Sequence, residues 1–229
     1  MDFGAFEAKA GVQFKDKALL ALSFTHRSYV NENKNVGEHN ERLEFLGDAV
    51  LQLIITDKLF NEYKGKPEGE LTAFRAALVN AMTLGKVAED IGMNDYLLLS
   101  KGETKDTGRA RTYILANTYE AFVGALYLDQ GYEVVEKFIL DTVYPELPRI
   151  IKEQSWRDAK SRFQEEAQEH VGETPTYELL KERGPDHDKE FTVGVTIAGK
   201  VIAEGSGPSK QEAEQKAAQK ALEESGWIK

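Results

Sequence analysis

Residues 40–53, NERLEFLGDAVLQL, place acidic side chains inside a segment that is otherwise almost wholly apolar. Glu41, Glu44 and Asp48 fall at positions i, i+3 and i+7, which predicts a helix that carries all three acids on one face. Carboxylates beside so much apolar surface are costly unless a positive group or a metal ion pairs with them. Hard oxygen ligands of this kind suit Mg²⁺ or Mn²⁺. The segment therefore predicts a helical fold in which these acids form a metal site.

A second helix of the same character is predicted over residues 114–129. Asn117 and Glu120 lie at i and i+3, so both side chains point the same way. Small residues that would let another helix approach closely follow in the same segment: Ala121, Gly124 and Ala125. If the two helices cross, one oxygen-rich cluster forms from Glu44, Asp48, Asn117 and Glu120. The alternative is that each acid forms a structural salt bridge with a neighbour such as Arg42 or Arg75.

Composition restricts the class of protein further. A chain of 229 residues can form one large or two ordinary domains, and 41% hydrophobic with 30% charged residues is typical of a soluble globular protein. The absence of cysteine excludes disulfides, thiolate nucleophiles and zinc–thiolate sites. The longest apolar runs, such as residues 49–55, are too short to span a bilayer. The first residues contain no basic region followed by an apolar stretch, so we expect no secretory signal. We therefore expect a cytoplasmic protein that has no membrane partner.

The net charge of −10 bears on possible nucleic-acid partners. Phosphate contacts need Lys and Arg, so this charge alone argues against nucleic-acid binding. Such binding would have to rest on local basic patches, or on metal ions that bridge acids to phosphates.

Hydrophobic periodicity predicts a change of structure along the chain. The first two thirds predict helices over residues 18–29, 41–63, 70–92, 111–130 and 133–143. The last third predicts a helix, three strands and a helix over residues 158–171, 176–182, 190–198, 200–205 and 209–224. Ser209 is the predicted N-cap of the last helix, with Glu212 as its capping-box partner. The predicted fold class is multidomain. An all-α domain covers residues 1–150, a linker residues 151–156, and a small α+β domain of order α-β-β-β-α residues 157–229.

The string ERLEFLGDAVL, at residues 41–51, resembles the signature segment of bacterial ribonuclease III. Further segments resemble that family in the family's own order: residues 25–29, 67–79, 101–103 and 114–129. From residue 159 onward the chain resembles a double-stranded RNA-binding domain. The resemblance implies a homodimeric endonuclease that uses Mg²⁺, with Mn²⁺ as a possible substitute, and no small-molecule cofactor. It also implies hydrolysis of both strands of double-stranded RNA to 5′-phosphate and 3′-hydroxyl ends.

The resemblance assigns roles to individual residues of the first domain. Metal ligands would be Glu44, Asp48, Asn117 and Glu120, and of these Asp48 and Glu120 would also be catalytic. Glu41 and Glu68 would line the cleavage valley, and Phe45 would insert into the partner subunit. Asn117 departs from the family, which usually has Asp there. An amide keeps a carbonyl oxygen for a metal or its water but loses a charge, which should weaken metal affinity.

The resemblance also assigns RNA contacts in the second domain, in three regions. The first helix would contribute Ser161, Gln164 and Glu165, the loop between the first two strands His187, and the last helix Ser209, Lys210 and Lys216. The loop and first helix would meet minor grooves, and the last helix would meet phosphates across the major groove. Gln211 replaces the Lys usual in the family, which predicts a weaker phosphate clamp and a shallower salt dependence.

The resemblance implies cellular roles in ribosomal RNA precursor processing, messenger RNA turnover and transfer RNA processing. Two alternatives stay open at this point. Asn117 and the negative charge would suit a catalytically weak or inactive dimeric double-stranded RNA-binding protein. A helical metal-dependent enzyme acting on nucleotides is the third reading, which the second domain argues against.

Overall fold

The computed structural model describes residues 2–105, 107–153, 156, 158–184 and 189–227. The chain divides after residue 156 into two compact units, and each is described by itself. The fold class predicted from the sequence is confirmed: a helical domain precedes a small α+β domain. In the part of the chain that the structure describes, no helix is long and apolar enough to cross a membrane.

The first unit is built from α-helices and short 3₁₀ turns. The α-helices are α1 (Gly4–Ala10), α2 (Lys17–Ser23), α3 (Arg27–Glu32), α4 (Glu41–Glu62), α5 (Glu68–Leu78), α6 (Ala81–Asp90), α7 (Arg109–Gln130), α8 (Tyr132–Thr142) and α9 (Leu147–Glu153). The 3₁₀ turns are Met93–Tyr96, Glu103–Lys105 and Tyr144–Glu146. The two long helices, α4 and α7, lie at the centre, and an aromatic cluster around Phe6, Phe24 and Phe122 packs beside them.

The helix predicted over residues 18–29 is instead two helices, α2 and α3. Between them the backbone of Phe24 and His26 pairs with Leu98, whose N–H donates to Phe24 O at 2.9 Å and whose O accepts from the His26 N–H at 3.1 Å. A backbone that pairs with a distant residue cannot make the hydrogen bonds of a helix interior. The Nδ1 atom of His26 then accepts from the Ser28 N–H and caps α3.

The helix predicted over residues 70–92 is also two helices, α5 and α6. Asn80 lies between them with an extended backbone, and its side-chain oxygen accepts from the Thr83 N–H at 2.9 Å. The same side chain donates to Ala77 O at 3.0 Å, so it satisfies both the end of α5 and the start of α6.

The second unit has the predicted order α-β-β-β-α. It contains α10 (Ala159–Val171), β1 (Thr176–Arg183), β2 (Glu190–Ile197), β3 (Lys200–Gly207) and α11 (Lys210–Ser225). The strands form an antiparallel sheet of order β1-β2-β3. The turn between β2 and β3 is tight, because Ala198 and Gly199 both have positive φ, 49° and 75°.

Both helices of the second unit pack on one face of its sheet, over a core that includes Phe163, Val195, Ala217 and Leu222. The backbones of β3 and α11 come very close, since a Cβ added at Gly205 would lie 2.2 Å from Ala217 N. Ser209 is the N-cap of α11 as predicted, and its hydroxyl accepts from the Glu212 N–H at 3.2 Å.

Candidate active site and nucleic-acid interface

The crossing of α4 and α7 brings the predicted acids together. A Cβ added at Gly47 would lie 1.7 Å from the carbonyl oxygen of Glu120, and one added at Gly124 would lie 2.2 Å from that of Leu43. Only glycine permits so close a backbone approach at these two positions. The close approach places Glu120 beside the turn of α4 between Glu44 and Asp48, as the sequence predicted if the two helices cross.

The carboxyl groups of Glu44, Asp48 and Glu120 act on one another electrostatically. Burial, followed by the charges of Asp48 and Glu44, raises the pKa of the Glu120 carboxyl to about 7. Burial, followed by the charges of Glu41 and Asp48, raises the pKa of Glu44. The three side chains are half-buried, so the repulsion between them is only partly screened by water.

The salt-bridge alternative does not account for these acids. Across the described residues, none of Glu44, Asp48 and Glu120 forms an ion pair with a basic side chain. Arg75 Nη1 donates instead to Thr56 Oγ1, at 3.0 Å. No basic side chain in the described part of the chain therefore compensates the negative charge at the crossing of α4 and α7.

Gln52 is a neighbour of the site that the sequence reading missed. Its Nε2 donates to Asp48 Oδ1 at 3.0 Å, which fixes the orientation of that carboxylate. Its position four residues after Asp48 on the same helix was the available signal, since side chains at i and i+4 meet on a helix surface.

The donor set fits a divalent cation such as Mg²⁺ in chemistry, because it offers hard oxygen ligands with a surplus of negative charge. Among the described residues, no three His, Asp or Glu side chains converge closely enough to hold a metal ion as they stand. Mg²⁺ usually keeps several waters and binds through one or two carboxylates, so it does not need three converging side chains. Asn117, one turn before Glu120 on α7, is exposed to solvent and has no charge to repel the three acids.

The two acids predicted to line a cleavage valley lie at the surface. Glu41 is exposed at the start of α4, and its carboxylate lies 3.4 Å from Arg27 Nη1 and 3.8 Å from His39 Nδ1. Glu68 is the exposed first residue of α5, where its Oε1 accepts from Thr72 Oγ1 at 2.9 Å. Of these two, Glu41 acts on the acid cluster, since it helps to raise the pKa of Glu44.

Phe45 lies on the side of α4 that faces away from the core. It is 83% exposed, which is unusual for a phenylalanine within a 22-residue helix. Beside it is an open groove of about 780 Å³, whose apolar lining includes Leu22, Leu43, Leu46 and Leu128. An exposed aromatic ring next to an apolar groove is typical of an interaction surface.

In the second unit, α10 and α11 present several of the predicted RNA contacts at one groove. Ser161, Gln164 and Glu165 are exposed on one face of α10. A groove of about 760 Å³ brings Ser161 and Gln164 beside Ser209 and Gln211, which lie at the N-terminus of α11. His187, together with Pro185 and Asp186 of the same loop, lies outside the described residues.

The two predicted lysines of α11 differ in their surroundings. Lys210 makes no ion pair with the described residues, and its Nζ lies 6.0 Å from the centre of the Phe191 ring. Lys216 is paired with Glu212 at 3.4 Å, one turn earlier on the same helix. Lys210 is therefore the residue that presents a positive charge at the start of α11, where backbone N–H groups also favour an anion.

Comparison with known families assigns each unit separately. Residues 16–147 match the family described as Ribonuclease-III-like. Residues 159–225 match the double-stranded RNA binding motif.

Individual relatives match over almost the full chain. A protein named Ribonuclease 3 from Natranaerobius thermophilus is 46% identical over 217 residues, which cover 95% of this chain and 94% of the relative. A protein of the same name from Bdellovibrio bacteriovorus is 44% identical over 220 residues, 96% of this chain and 94% of the relative.

Among solved structures, the nuclease domain of ribonuclease III from Campylobacter jejuni matches at a TM-score of 0.59 with 35% identity, and covers 64% of this chain and 99% of that domain. The published description of that structure concerns flexibility in a region involved in its dimer formation.

Proposed function

This chain belongs to the ribonuclease III family, and we propose that it hydrolyses both strands of double-stranded RNA at the acid cluster of α4 and α7. The observation that carries the proposal is the group of Glu44, Asp48 and Glu120, which no basic side chain in the described part of the chain pairs with. The group is held at a glycine-lined helix crossing in a chain that also has a double-stranded RNA-binding domain. The expected products have 5′-phosphate and 3′-hydroxyl ends.

The family is one of metal-dependent nucleases, and we propose Mg²⁺ as the physiological metal, with Mn²⁺ as a substitute. Bound metal would supply an activated water and would stabilise charge on the leaving 3′-oxygen. Glu44, Asp48 and Glu120 would hold it through carboxylate oxygens, with Asp48 and Glu120 nearest to the chemistry. Gln52 would keep the Asp48 carboxylate in place through its 3.0 Å hydrogen bond.

Asn117 fits this scheme as a neutral oxygen donor. Its exposed carbonyl oxygen can ligate a metal or position a metal-bound water, although it cannot act as a base. Loss of one negative charge lowers metal affinity, while the three remaining acids keep the site strongly negative. We therefore propose an active enzyme with a raised Mg²⁺ requirement.

Binding of the duplex is assigned to the groove between the N-terminal turns of α10 and α11. Ser161, Gln164 and Glu165 would meet the shallow minor groove with its 2′-hydroxyls, and His187 a second minor groove. Ser209, Lys210 and Lys216 would meet phosphates across the major groove. Because A-form RNA is recognised by shape and backbone, substrate choice would follow helix length and structure more than sequence.

We also propose that the enzyme acts as a homodimer through the surface around Phe45. The exposed ring of Phe45 would enter the apolar groove beside Phe45 on a second copy of the chain, and that copy would reciprocate. Leu53, which is also exposed on α4, extends this apolar surface along the helix. Two acid clusters in one dimer would let each subunit cut one strand.

Its substrates would be structured transcripts in the cytoplasm, including precursors of ribosomal RNA, messenger RNA and transfer RNA. The test of the whole proposal is cleavage of a labelled, perfectly paired RNA duplex with Mg²⁺, with Mn²⁺, with Ca²⁺ and with chelator, beside a DNA duplex of the same sequence. We expect RNA to be cut with Mg²⁺ or Mn²⁺ and the DNA to stay intact. Binding without cutting in every metal would contradict the proposed activity.

A further inference from the structure

One lysine that lines the proposed RNA-binding groove of the second unit is fixed by an ion pair and an aromatic contact. Lys160, in the first turn of α10, has its Nζ 2.5 Å from Glu214 Oε2 of α11. The same Nζ lies 4.7 Å from the centre of the Tyr177 ring in β1. The side chains of Lys160 and Glu214 are only 36% and 25% exposed, so water screens this pair less than an ordinary surface pair.

Two further contacts join the same turns of α10 and α11. The Ala159 N–H donates to Gln215 Oε1 at 3.0 Å. The Nε2 of Gln215 also donates to the carboxylate of Asp158, which is the N-cap of α10. The start of α10 is therefore held to the first turns of α11 by the Lys160–Glu214 ion pair and by the side-chain oxygen and nitrogen of Gln215.

These contacts lie among the proposed RNA contacts. The groove that presents Ser161, Gln164 and Ser209 is also lined by Lys160, Tyr177 and Glu214. An A-form duplex has a fixed spacing between its minor groove and the phosphates across its major groove, so a protein that reads shape must hold its contact regions at a matching separation. An unpaired Glu214 in this groove would also repel the phosphates.

Tyr177 lies near Glu214 but does not balance the charge of that carboxylate. Its hydroxyl is buried and has no hydrogen-bond partner among the described residues. Burial, followed by the charges of Asp158 and Glu214, raises the pKa of this phenol, so Tyr177 is neutral at physiological pH. The positive charge facing Glu214 in the groove is thus that of Lys160.

Building on the proposed function, we propose that Lys160 is a positioning residue for duplex RNA. It would neutralise Glu214 beside the turns of α10 and α11 that Gln215 joins, without itself contacting a phosphate. Its charge would therefore matter to RNA binding only while Glu214 carries its own.

The test is a double-mutant cycle in the full-length chain. Binding of a labelled RNA duplex is measured with Ca²⁺ in place of Mg²⁺, over a range of salt, for Lys160→Met, Glu214→Gln and the double variant. We expect Lys160→Met to weaken binding roughly tenfold, as an unpaired like charge near a polar interface does. Glu214→Gln should bind at least as tightly as wild type, and the double variant should return to within about threefold of wild type.

A direct phosphate contact by Lys160 predicts a different pattern. The double variant would then stay as weak as Lys160→Met, and its salt slope would stay reduced by about 1. Either that result or unchanged binding by Lys160→Met would overturn the inference. Failure of the wild-type chain to bind the duplex would instead contradict the proposed function.

The matched control is Lys220→Met with Glu224→Gln, an ion pair at 3.7 Å near the other end of α11, which should leave binding unchanged. Thermal unfolding followed by circular dichroism shows whether Lys160→Met is folded at the assay temperature, and Lys160→Gln provides a second variant with the same expected pattern.

In Mg²⁺ the KM for duplex RNA should rise in Lys160→Met while kcat stays unchanged. A fall in kcat alone would contradict a role in binding.

Discussion

The two units of this chain handle negative charge in opposite ways. At the crossing of α4 and α7, Glu44, Asp48 and Glu120 repel one another and face no basic side chain among the described residues. Along α11, three acids have a lysine within 4 Å: Glu212 has Lys216, Glu214 has Lys160 and Glu224 has Lys220. Charge that the protein leaves uncompensated points to a cation from solution, whereas compensated charge is part of the fold.

This difference also resolves the conflict between a negative chain and an RNA substrate. Residues 157–229 contain 15 Asp and Glu against 11 Lys and Arg, so even the RNA-binding domain has a formal charge of −4. Ion pairing locally neutralises three of the four acids of α11 and leaves Lys210, at the helix N-terminus, without an ion pair among the described residues. RNA binding therefore depends on where the charges are paired, and total charge is a poor guide to it.

Replacing Glu120 should give the largest effect on activity. We expect Glu120→Gln to lower cleavage of duplex RNA in Mg²⁺ by at least about a hundredfold, because a ligand carboxylate matters more than the partners that orient it. Binding of the same duplex should be retained, since the second unit supplies it. Glu89→Gln, at an exposed position on α6, is the matched control. Normal turnover in Glu120→Gln would show that the acid cluster is not the active site.

The helix crossing itself can be broken at Gly47. A Cβ at this position would lie 1.7 Å from the Glu120 carbonyl oxygen, so Gly47→Ala should lower the free energy of unfolding by about 2–4 kcal/mol and displace Glu120. Chemical denaturation and the cleavage rate measure the two effects. Gly65→Ala is the control, because no atom lies within 4 Å of its added Cβ. Equal stability of the two variants would contradict the close approach of α4 and α7.

We predict that Lys210, which has no ion pair among the described residues, contributes more to RNA binding than the paired lysines of α11. Lys210→Ala should weaken duplex binding about five- to tenfold and lower the salt slope by about 1. Lys220→Ala should change neither quantity. The reverse substitution, Gln211→Lys, should tighten binding and steepen the slope. Equal losses in Lys210→Ala and Lys220→Ala would mean that pairing on α11 does not decide which lysines bind phosphate.

Restoring a charge at position 117 sharpens the account of the acidic cluster. Asn117→Asp should preserve the cleavage rate at saturating Mg²⁺, and at limiting Mg²⁺ should preserve or raise it by up to about tenfold, because ligand charge tunes affinity for such cations. A Mg²⁺ titration of the initial rate measures both. A clear loss of activity at limiting Mg²⁺ would show that the site is adapted to the neutral amide.

The smallest effect concerns stability without metal. The pKa of Glu120 is raised from an ordinary 4.5 to about 7, so the folded state retains a proton that the unfolded state loses between these values. Stability of the metal-free protein should therefore fall as pH rises from about 4.5 to 7, and Glu120→Gln should remove this loss.

Since the Glu120 carboxyl is still partly hydrated, Glu120→Gln should raise the free energy of unfolding at pH 8 with chelator by only about 1 kcal/mol. This corresponds to about 2–4 °C in Tm. The difference between Glu120→Gln and wild type should shrink toward pH 5. A gain that does not depend on pH would show that the Glu120 charge is not its cause.

The sequence predicted the elements whose signals are local. The predicted helix 41–63 is Glu41–Glu62, and 111–130 is Arg109–Gln130, because long runs with helical periodicity form helices in almost any context. The break at Asn80 was also readable in principle, since Asn is a preferred N-cap. The break between α2 and α3 was not readable, because it depends on backbone pairing with Leu98, more than 70 residues away.

The family and the fold class were determined by the sequence alone, and the sequence also predicted the acids of the site, since motif order and residue spacing are properties of the chain itself. Three findings required the tertiary structure. These are the Gly47–Gly124 contact that couples Glu120 to Glu44 and Asp48, the absence of a base beside those acids in the described chain, and the Lys160–Glu214 pair. Each depends on which distant residues meet through space, and that is decided by packing.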